Sequence, residues 1–330
     1  MAFREAKAAK IGGKFLAYGM EGSGKSMFQL TFPDIACIDS EVGVAHYEGR
    51  EINLNNGKSY NNLRIVDNTS DLDELESDLD DFLSGEYDGK INTLSIDSET
   101  KFYNTMQIAA TEVEERKARK KGGDIDDTVV SQRQWGRIKI INMKFQQAKI
   151  DLSAKGVHVV SIAQATEVRN EAGDKVIGIK PDMHKSVKFD YDTILEFYKE
   201  EKNDDVRYFA KVKKDRTEVT KVGQIIENPT YDIWADYYNK KNGLAVNPTS
   251  YRKNLDTSVE SMIDDSDKAE EAIVEWKKKM KSLNESKNAN ALKKINKYLT
   301  DNNIEIKNIA NYDYKTLDEL LSYTKLVSEE

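Results

Sequence analysis

The stretch Gly19-Met20-Glu21-Gly22-Ser23-Gly24-Lys25-Ser26 fits the phosphate-binding pattern Gly-x4-Gly-Lys-[Ser/Thr] at every fixed position. A short apolar run, Phe15 to Tyr18, precedes it, and a helix-like stretch begins at Met27. In such a strand-loop-helix unit, the backbone amides of the loop and the N-terminus of the helix point at anionic oxygens. The stretch therefore predicts a nucleoside triphosphate site built on a glycine-rich loop.

Two side chains of this loop have chemical duties of their own. Lys25 is expected to reach the β and γ phosphates of ATP, and the Ser26 hydroxyl is expected to ligate Mg2+. The alternative is a chance glycine-rich turn, and the flanking strand and helix patterns argue against it. The predicted nucleotide-binding residues are Gly19, Gly22, Ser23, Gly24, Lys25, Ser26 and Met27.

Composition limits the other possibilities. The 330 residues are 38% hydrophobic and 33% charged, which is typical of a folded protein with one large and one smaller domain. A charged N-terminus and the lack of a long apolar run predict a cytoplasmic protein that does not span a membrane. The single cysteine, Cys37, cannot form an internal disulfide, and the three histidines give no zinc spacing. With a formal net charge of -8, a DNA-binding surface would have to be a local concentration of cations.

Apolar runs alternate with amphipathic stretches, as a mostly parallel twisted sheet flanked by helices requires. We expect an α/β ATPase core at 1–238, a linker at 239–254 and a small helical appendix at 255–330. The last helix is predicted to begin at the capping pattern Thr316-Leu317-Asp318-Glu319. The last two predicted strands are expected to form an antiparallel extension of the sheet. Predicted strands lie near 14–18, 35–39, 63–67, 93–97, 157–163, 192–197 and 206–213.

A second nucleotide motif is predicted at Leu94-Ser95-Ile96-Asp97, an apolar strand that ends in an acid. Asp97 at the carboxyl edge of the sheet could hold a water of the Mg2+ shell, where open α/β sheets bind their ligands. The alternative is an aspartate that only terminates a strand in a turn.

Two further strand ends bear a resemblance to RecA-type recombinases. Ile38-Asp39-Ser40-Glu41 looks like their Ile-Asp-Ala-Glu stretch, and by that resemblance Glu41 is the carboxylate that activates the attacking water. Gln164, at the end of an apolar strand, matches their glutamine that senses the γ phosphate and leads into a mobile DNA-binding loop. Without the resemblance, Glu41 is a surface acid after a strand.

A third resemblance concerns Lys213-Lys214-Asp215-Arg216, which we place at the tip of the terminal hairpin. The stretch is similar to the Lys-x-Arg element of RecA-type oligomers, whose two cations reach the active site of the neighbouring subunit. By this resemblance Lys214 and Arg216 stabilise the transition state of hydrolysis. An exposed charged turn is the alternative.

In their order and spacing, these segments resemble the small phage-encoded RecA-like ATPases that act as single-strand annealing recombinases. The resemblance implies a RecA-like P-loop NTPase core that hydrolyses ATP at subunit interfaces of a homo-oligomer, either a ring or a filament. It also implies single-stranded DNA as a partner and, for a phage protein, the host cytoplasm as its location. The C-terminal helices could contact a replication or single-strand-binding protein.

Two basic segments are candidates for DNA contact. Residues 165–188 are expected to be a flexible loop with a basic excess, and the stretch Arg116 to Gly123 lies where RecA-like cores place their other DNA loop. Acids flank the second stretch on both sides, so a self-compensating solvated helix end is the alternative. The predicted DNA-binding residues are Arg116, Arg119, Lys120, Lys121, Arg169, Lys175, Lys180, Lys185 and Lys188.

Two other classes of protein share the nucleotide motifs. An ATP-driven DNA motor, such as a helicase or a packaging ATPase, would separate or translocate strands instead of annealing them. A nucleotide-dependent switch would use the helical appendix to bind a protein partner, and single-stranded DNA would not stimulate its ATPase activity. A small-molecule kinase fits less well, because it gives Glu41 and Gln164 no obvious duty.

Overall fold

The computed structural model describes residues 9–54, 57–120, 125, 128–202, 205–241, 243–245 and 251–328. The chain divides into two compact units, Met1–Thr249 and Ser250–Glu330. No helix within the described residues has the length and apolar character needed to cross a membrane.

The first unit alternates strands and helices. Its strands are β1 (Ala9–Lys10), β2 (Lys14–Gly19), β3 (Ile35–Asp39), β4 (Ile52–Asn53), β5 (Ser59–Tyr60), β6 (Leu63–Asp67), β7 (Thr93–Asp97), β8 (His158–Arg169), β9 (Val176–Pro181), β10 (Thr193–Lys202), β11 (Asp205–Asp215), β12 (Ile225–Glu227) and β13 (Leu244–Ala245). Two separate two-stranded sheets are formed by β1 with β13 and by β4 with β5. Its helices are α1 (Lys25–Gln29), α2 (Leu72–Ser84), α3 (Glu99–Lys120), α4 (Gln132–Lys155) and α5 (Asp232–Asn239), with short 3-10 helices at Val44–Tyr47 and Val187–Phe189.

The large sheet has the strand order β12-β11-β10-β2-β8-β7-β3-β6. The six strands from β10 to β6 run parallel, whereas β11, β12 and the outlying β9 are antiparallel to their neighbours. The predicted α/β fold with a mostly parallel sheet is therefore confirmed, together with its antiparallel extension. Within the predicted linker, β13 pairs with β1 in parallel.

Helices cover both faces of the sheet because successive strand residues point to opposite sides. On one face Phe15 and Ala17 pack with aromatic side chains of α1 and α5, including Phe28 and Trp234. On the other face the inward residues of β3, β7 and β8 pack against α2, α3 and α4. Parallel strands buried on both faces read as continuous apolar runs, which is why the pattern located them.

The register of the sheet brings the predicted site residues to one edge. Gly19 pairs with Gln164, and Asp39 pairs with Asp97. Since all four strands concerned are parallel, these four residues lie together at their carboxyl ends.

The segment after Gln164 differs from its prediction as a flexible loop. Strand β8 runs five residues past Gln164, and β9 folds back on it as an antiparallel hairpin, with Ala165 opposite Pro181. Val168 lies between Glu167 and Arg169, and Ile177 and Ile179 are two residues apart, a spacing typical of a strand, although the glycines and lysines of the segment suggested a loop.

The second unit is helical, as the predicted appendix is: α6 (Tyr251–Glu285), α7 (Ala289–Asp301), a 3-10 helix at Ile306–Asn311, and α8 (Tyr314–Ser328). Its core includes Trp276, whose indole N–H donates to Thr324 at 3.1 Å. The predicted capping pattern at Thr316 is wrong, because α8 begins at Tyr314. The carboxylate of Asp313 accepts from the Thr316 backbone N–H at 2.8 Å and serves as the cap.

Candidate functional site

The glycine-rich loop connects β2 to α1, and two of its glycines have structural reasons to be glycine. A side chain at Gly19 would place its Cβ 2.3 Å from the carbonyl oxygen of Phe197 on the neighbouring strand. Gly24 has a φ of 93°, in the left-handed region, and the ring of Tyr208 lies 3.3 Å from where its Cβ would be. The loop can therefore wrap closely only with glycine at these positions.

Lys25 folds back over the loop that precedes it. Its ammonium donates to the carbonyl oxygens of Gly19 and Met20 at 3.0 and 2.8 Å. Burial lowers the pKa of Lys25, and the negative charges of Asp97 and Glu41 oppose that shift. The ammonium is thus held at the loop by neutral carbonyl groups, which an anionic phosphate oxygen can replace as the stronger partner.

Asp97 connects the loop's helix to the neighbouring strands. Its Oδ2 accepts from the Ser26 hydroxyl at 2.9 Å and from the Gln29 amide at 2.6 Å. Burial raises the pKa of Asp97 to about 6, the hydrogen bonds from Ser26 and Gln29 lower it, and the charges of Glu41 and Asp39 raise it. A hydroxyl and a carboxylate at this separation are hard oxygen donors of the kind that Mg2+ takes, so the predicted pair fits the metal.

Glu41 and Gln164 meet at the same edge. The Gln164 amide nitrogen donates to Glu41 Oε1 at 2.8 Å, although their strands, β3 and β8, are not neighbours. Strand β7 lies between them, and Ser98, directly after it, donates to the same Glu41 oxygen at 2.7 Å. Two donors therefore orient the Glu41 carboxylate, whose charge also acts on Lys25.

Short polar side chains hold the loop that carries Glu41. The buried Asp39 carboxylate accepts from the backbone N–H groups of Glu41 and Val44 at 3.0 and 2.7 Å. Ser40 Oγ accepts from the Ser98 backbone N–H at 2.8 Å, which ties the end of β3 to the end of β7. Asp39 is thus a structural residue that shapes the turn before Glu41.

The base of the β8–β9 hairpin is fastened to α3 by Thr100. The Thr100 hydroxyl accepts from the Gln164 backbone N–H at 3.0 Å and donates to the Asp182 carbonyl at 2.7 Å. The Asp182 N–H in turn donates to the Gln164 carbonyl at 2.8 Å. Gln164 therefore lies at the start of the hairpin, where its position and that of the hairpin are linked.

A cavity of about 470 Å³ extends from the glycine-rich loop, which is large enough for a nucleotide. Beyond the loop it reaches two half-buried tyrosines, Tyr47 and Tyr208, with amide and apolar groups between them. These outer lining residues are Tyr47, Asn53, Leu54, Phe197, Tyr208, Asn228 and Pro229.

Three residues with clear places in this site escaped sequence reasoning: Gln29, Ser98 and Tyr208. Gln29 also accepts from the Ser95 hydroxyl, so its amide lies between β7 and the loop helix. A buried glutamine in the first helix after the loop is a signal, but its partner lies 68 positions away in the sequence.

The predicted position of Lys214 and Arg216 at a hairpin tip is wrong. Strand β11 runs antiparallel to β10, so Asp215 returns to the level of Thr193, at the amino edge of the sheet. There Arg216 pairs with Asp192 at 3.2 Å, and Lys214 donates to the Phe189 carbonyl at 3.1 Å. In their own chain the two cations therefore lie at the edge opposite the glycine-rich loop.

The predicted DNA-binding cations separate into paired and exposed groups. Arg116 and Arg119 pair with Glu112 and Glu115 one turn earlier, as the self-compensating alternative requires. Arg169 pairs with Glu167 at 2.6 Å on the hairpin. Lys121 lies outside the described residues. The remaining predicted cations are exposed or half-buried: Lys120, Lys175, Lys180, Lys185 and Lys188.

The fold and the loop define the class, an α/β protein with a P-loop nucleotide site. The family described as AAA domain matches residues 11–223, and the chain belongs to that family. No curated protein matches the sequence. Among solved structures, the chain is similar to the crystal structure of the RadB recombinase, with 16% identity and a TM-score of 0.41, over 66% of this chain and 87% of that one. Membership of this P-loop family implies nucleotide binding.

The raised pKa of Asp97 predicts a pH dependence of stability in the protein free of nucleotide and metal. Native Asp97 keeps its proton up to a pH of about 6, whereas in the unfolded chain it loses the proton at the ordinary carboxyl pKa. Protonated Asp97 therefore stabilises the folded state fully below the ordinary pKa, and this stabilisation is lost as the pH rises to about 6. The difference is roughly 3 kcal/mol. We expect urea unfolding of wild type and Asp97→Asn at pH 4 and pH 7 to show this loss in wild type only. Parallel pH profiles would contradict the assignment.

Proposed function

We propose that this protein is an ATP-dependent single-stranded-DNA-binding recombination protein of the annealing type, which hydrolyses ATP. The observation that carries the proposal is the hydrogen bond between Gln164 and Glu41 beside Lys25. It joins the group suited to activate water to the residue from which the β8–β9 hairpin starts. A γ phosphate bound beside this hydrogen bond would therefore affect both Glu41 and the β8–β9 hairpin.

In this proposal ATP lies along the cavity, with its triphosphate on the loop and its base toward Tyr47 and Tyr208. Lys25 leaves the Gly19 and Met20 carbonyls and pairs with phosphate oxygens. Ser26 and Asp97 would hold Mg2+, which when bound supplies positive charge to the phosphates.

Glu41 is the proposed general base for hydrolysis. Its carboxylate is exposed and is oriented by Ser98 and Gln164, so a water between it and the γ phosphate can give up its proton to it. When the γ phosphate is present, it competes with Glu41 for the Gln164 amide. A change of partner at Gln164 would then be passed through the Thr100 bridge to the base of the hairpin.

Oligomer formation is part of the proposal, and the positions of two cations limit how the subunits could meet. Lys214 and Arg216 lie at the amino edge of the sheet, whereas the nucleotide lies at the carboxyl edge. They could complete a neighbour's site only if the amino edge of one subunit faced the carboxyl edge of the next.

Replacement of Glu41 tests the hydrolytic role. We expect Glu41→Gln to lower the ATP turnover number by about 100- to 10,000-fold, since an amide cannot take a proton from water. Nucleotide affinity should be retained, because Glu41 does not belong to the phosphate loop. Glu48→Gln is the matched control, an exposed glutamate a few residues later, and should hydrolyse ATP like wild type. Turnover by Glu41→Gln within twofold of wild type would remove Glu41 from catalysis.

Replacement of Tyr208 tests the orientation of the nucleotide. We expect Tyr208→Ala to weaken ATP binding about tenfold, by loss of ring contact with the base, and to leave the affinity for inorganic tripolyphosphate unchanged. Lys25→Ala should weaken the binding of both ligands and abolish ATP turnover. Calorimetric titration of each protein with both ligands makes the comparison. If Tyr208→Ala weakened both ligands equally, the base would not lie against this ring.

DNA binding and its coupling to nucleotide are tested with a labelled oligonucleotide. We expect single-stranded DNA to be retained more tightly with ATP than with ADP or without nucleotide, and to stimulate ATP hydrolysis. Annealing of complementary strands without unwinding of a duplex would favour the recombinase over a DNA motor. Equal affinity in all three nucleotide states would reject the coupling, and ATPase activity unmoved by DNA would favour a switch.

A further inference from the structure

Helix α4 carries the largest excess of positive charge of the described helices in the nucleotide-binding unit. From Gln132 to Ile150 it contains five cations and no acid, in a chain whose formal net charge is -8. Only Lys149 of the five is buried, where it pairs with Glu99 at 2.6 Å. The other four are exposed: Arg133, Arg137, Lys139 and Lys144.

Apolar side chains of α4 are also exposed to solvent. Trp135 is 45% exposed, whereas the two other tryptophans, Trp234 and Trp276, are 0% and 4% exposed. At spacings of four residues, Trp135, Lys139 and Met143 form one stripe along the helix. Arg133, Arg137 and Lys144, at spacings of four and seven residues, form a second stripe on another side of the helix. We call the exposed surface that carries both stripes the α4 basic face.

Contrast with α3 indicates that the charge of this face is available. On α3, Arg116 and Arg119 pair with glutamates of their own helix. Within the part of the chain that the structure describes, the four exposed cations of α4 form no ion pair. The nearest described carboxylate at the start of the helix is Glu114, which accepts from the Ser131 hydroxyl at 2.8 Å and is itself paired with Lys117.

The α4 basic face continues toward the β8–β9 hairpin. Partial burial lowers the pKa of His184, and the charges of Lys139 and Lys185 lower it further, so both ammonium groups lie near this imidazole. Helix α4 leads into the amino end of β8. Near that end, the Ser153 hydroxyl donates to the Gly12 carbonyl oxygen at 2.6 Å. Its first turns, with Arg133 and Trp135, therefore lie toward the carboxyl edge, where Gln164 and the nucleotide loop are.

We propose that the α4 basic face is the main contact surface for single-stranded DNA, with Arg133 and Arg137 on phosphates and Trp135 stacked on a base. This inference rests on the proposed function and identifies the surface that performs it, in place of the paired cations of α3. The exposed cations match the phosphate backbone, and the exposed indole on the other stripe matches the flat face of a base where the strand crosses the helix. An acidic protein surface would satisfy the cations but would leave the indole without a stacking partner.

A matched pair of double variants tests the assignment. Arg133→Gln with Arg137→Gln and Arg116→Gln with Arg119→Gln remove the same charge from neighbouring helices. We expect the α4 variant to bind a labelled oligonucleotide at least tenfold more weakly and to lower the magnitude of the log-log salt slope by about 1.4, the value for two phosphate contacts. The α3 variant should bind like wild type. ATP affinity should be equal in all three proteins, which controls for folding.

Trp135 provides a second, independent readout. Since the other tryptophans are buried, quenching of the intrinsic fluorescence by DNA should come from Trp135. Trp135→Phe should lose the quenching and keep most of the affinity, and Trp135→Ala should bind about tenfold more weakly. Poly-glutamate of equal charge should not quench wild type.

The possible results separate this inference from the proposed function. If wild type binds no oligonucleotide in any nucleotide state, both are overturned. If wild type binds and the two double variants are equally affected or both unaffected, the assignment to α4 is overturned and the proposed function stands. Quenching by poly-glutamate, or full quenching in Trp135→Phe, overturns base stacking on Trp135.

Discussion

The hydrogen bonds that Ser26 and Gln29 donate to Asp97 are the contacts on which the rest of the site depends. They fasten the first helix after the glycine-rich loop to the end of β7, a strand that is separated from β2 by β8. The same strand end carries Ser98, which orients Glu41. One buried carboxylate therefore determines where the phosphate loop lies relative to the group that faces it. Its cost is visible in the raised pKa, because burial disfavours the charged form.

Neutral hydroxyl groups make several of the other connections at this edge. Ser40, Ser98 and Thr100 join the ends of β3, β7 and β8 without adding charge. A further carboxylate here would raise the pKa of Asp97 and repel a triphosphate, and a further ammonium would compete with Lys25 for the same anions. Hydroxyls provide direction at little electrostatic cost, which suits a site whose ligand brings several negative charges of its own.

Local pattern located seven strands of the large sheet, and Lys25, Asp97 and Gln164 relative to them, because parallel strands buried on both faces are continuous apolar runs. It did not find the short or exposed strands β9 and β12. Pattern failed where the answer depended on how far strands extend beyond the sheet. Strand β8 continues past Gln164, and β11 carries Arg216 back to the opposite edge. The role of Gln29 was missed because its hydrogen-bond partner, Asp97, is distant in the sequence.

Charge was the property least readable from the sequence, because its effect depends on pairing. Arg116 and Arg119 look basic in the sequence, yet the glutamates one turn earlier pair with them. Arg133 and Arg137 lie in a stretch of lower charge density, but no acid lies within four residues of either of them in the sequence. A surface potential is set by cations that lack nearby acids, and on a helix the neighbours that matter are three and four residues away. By this criterion the exposed positive charge of α4 exceeds that of α3, although α3 ends in the denser basic run.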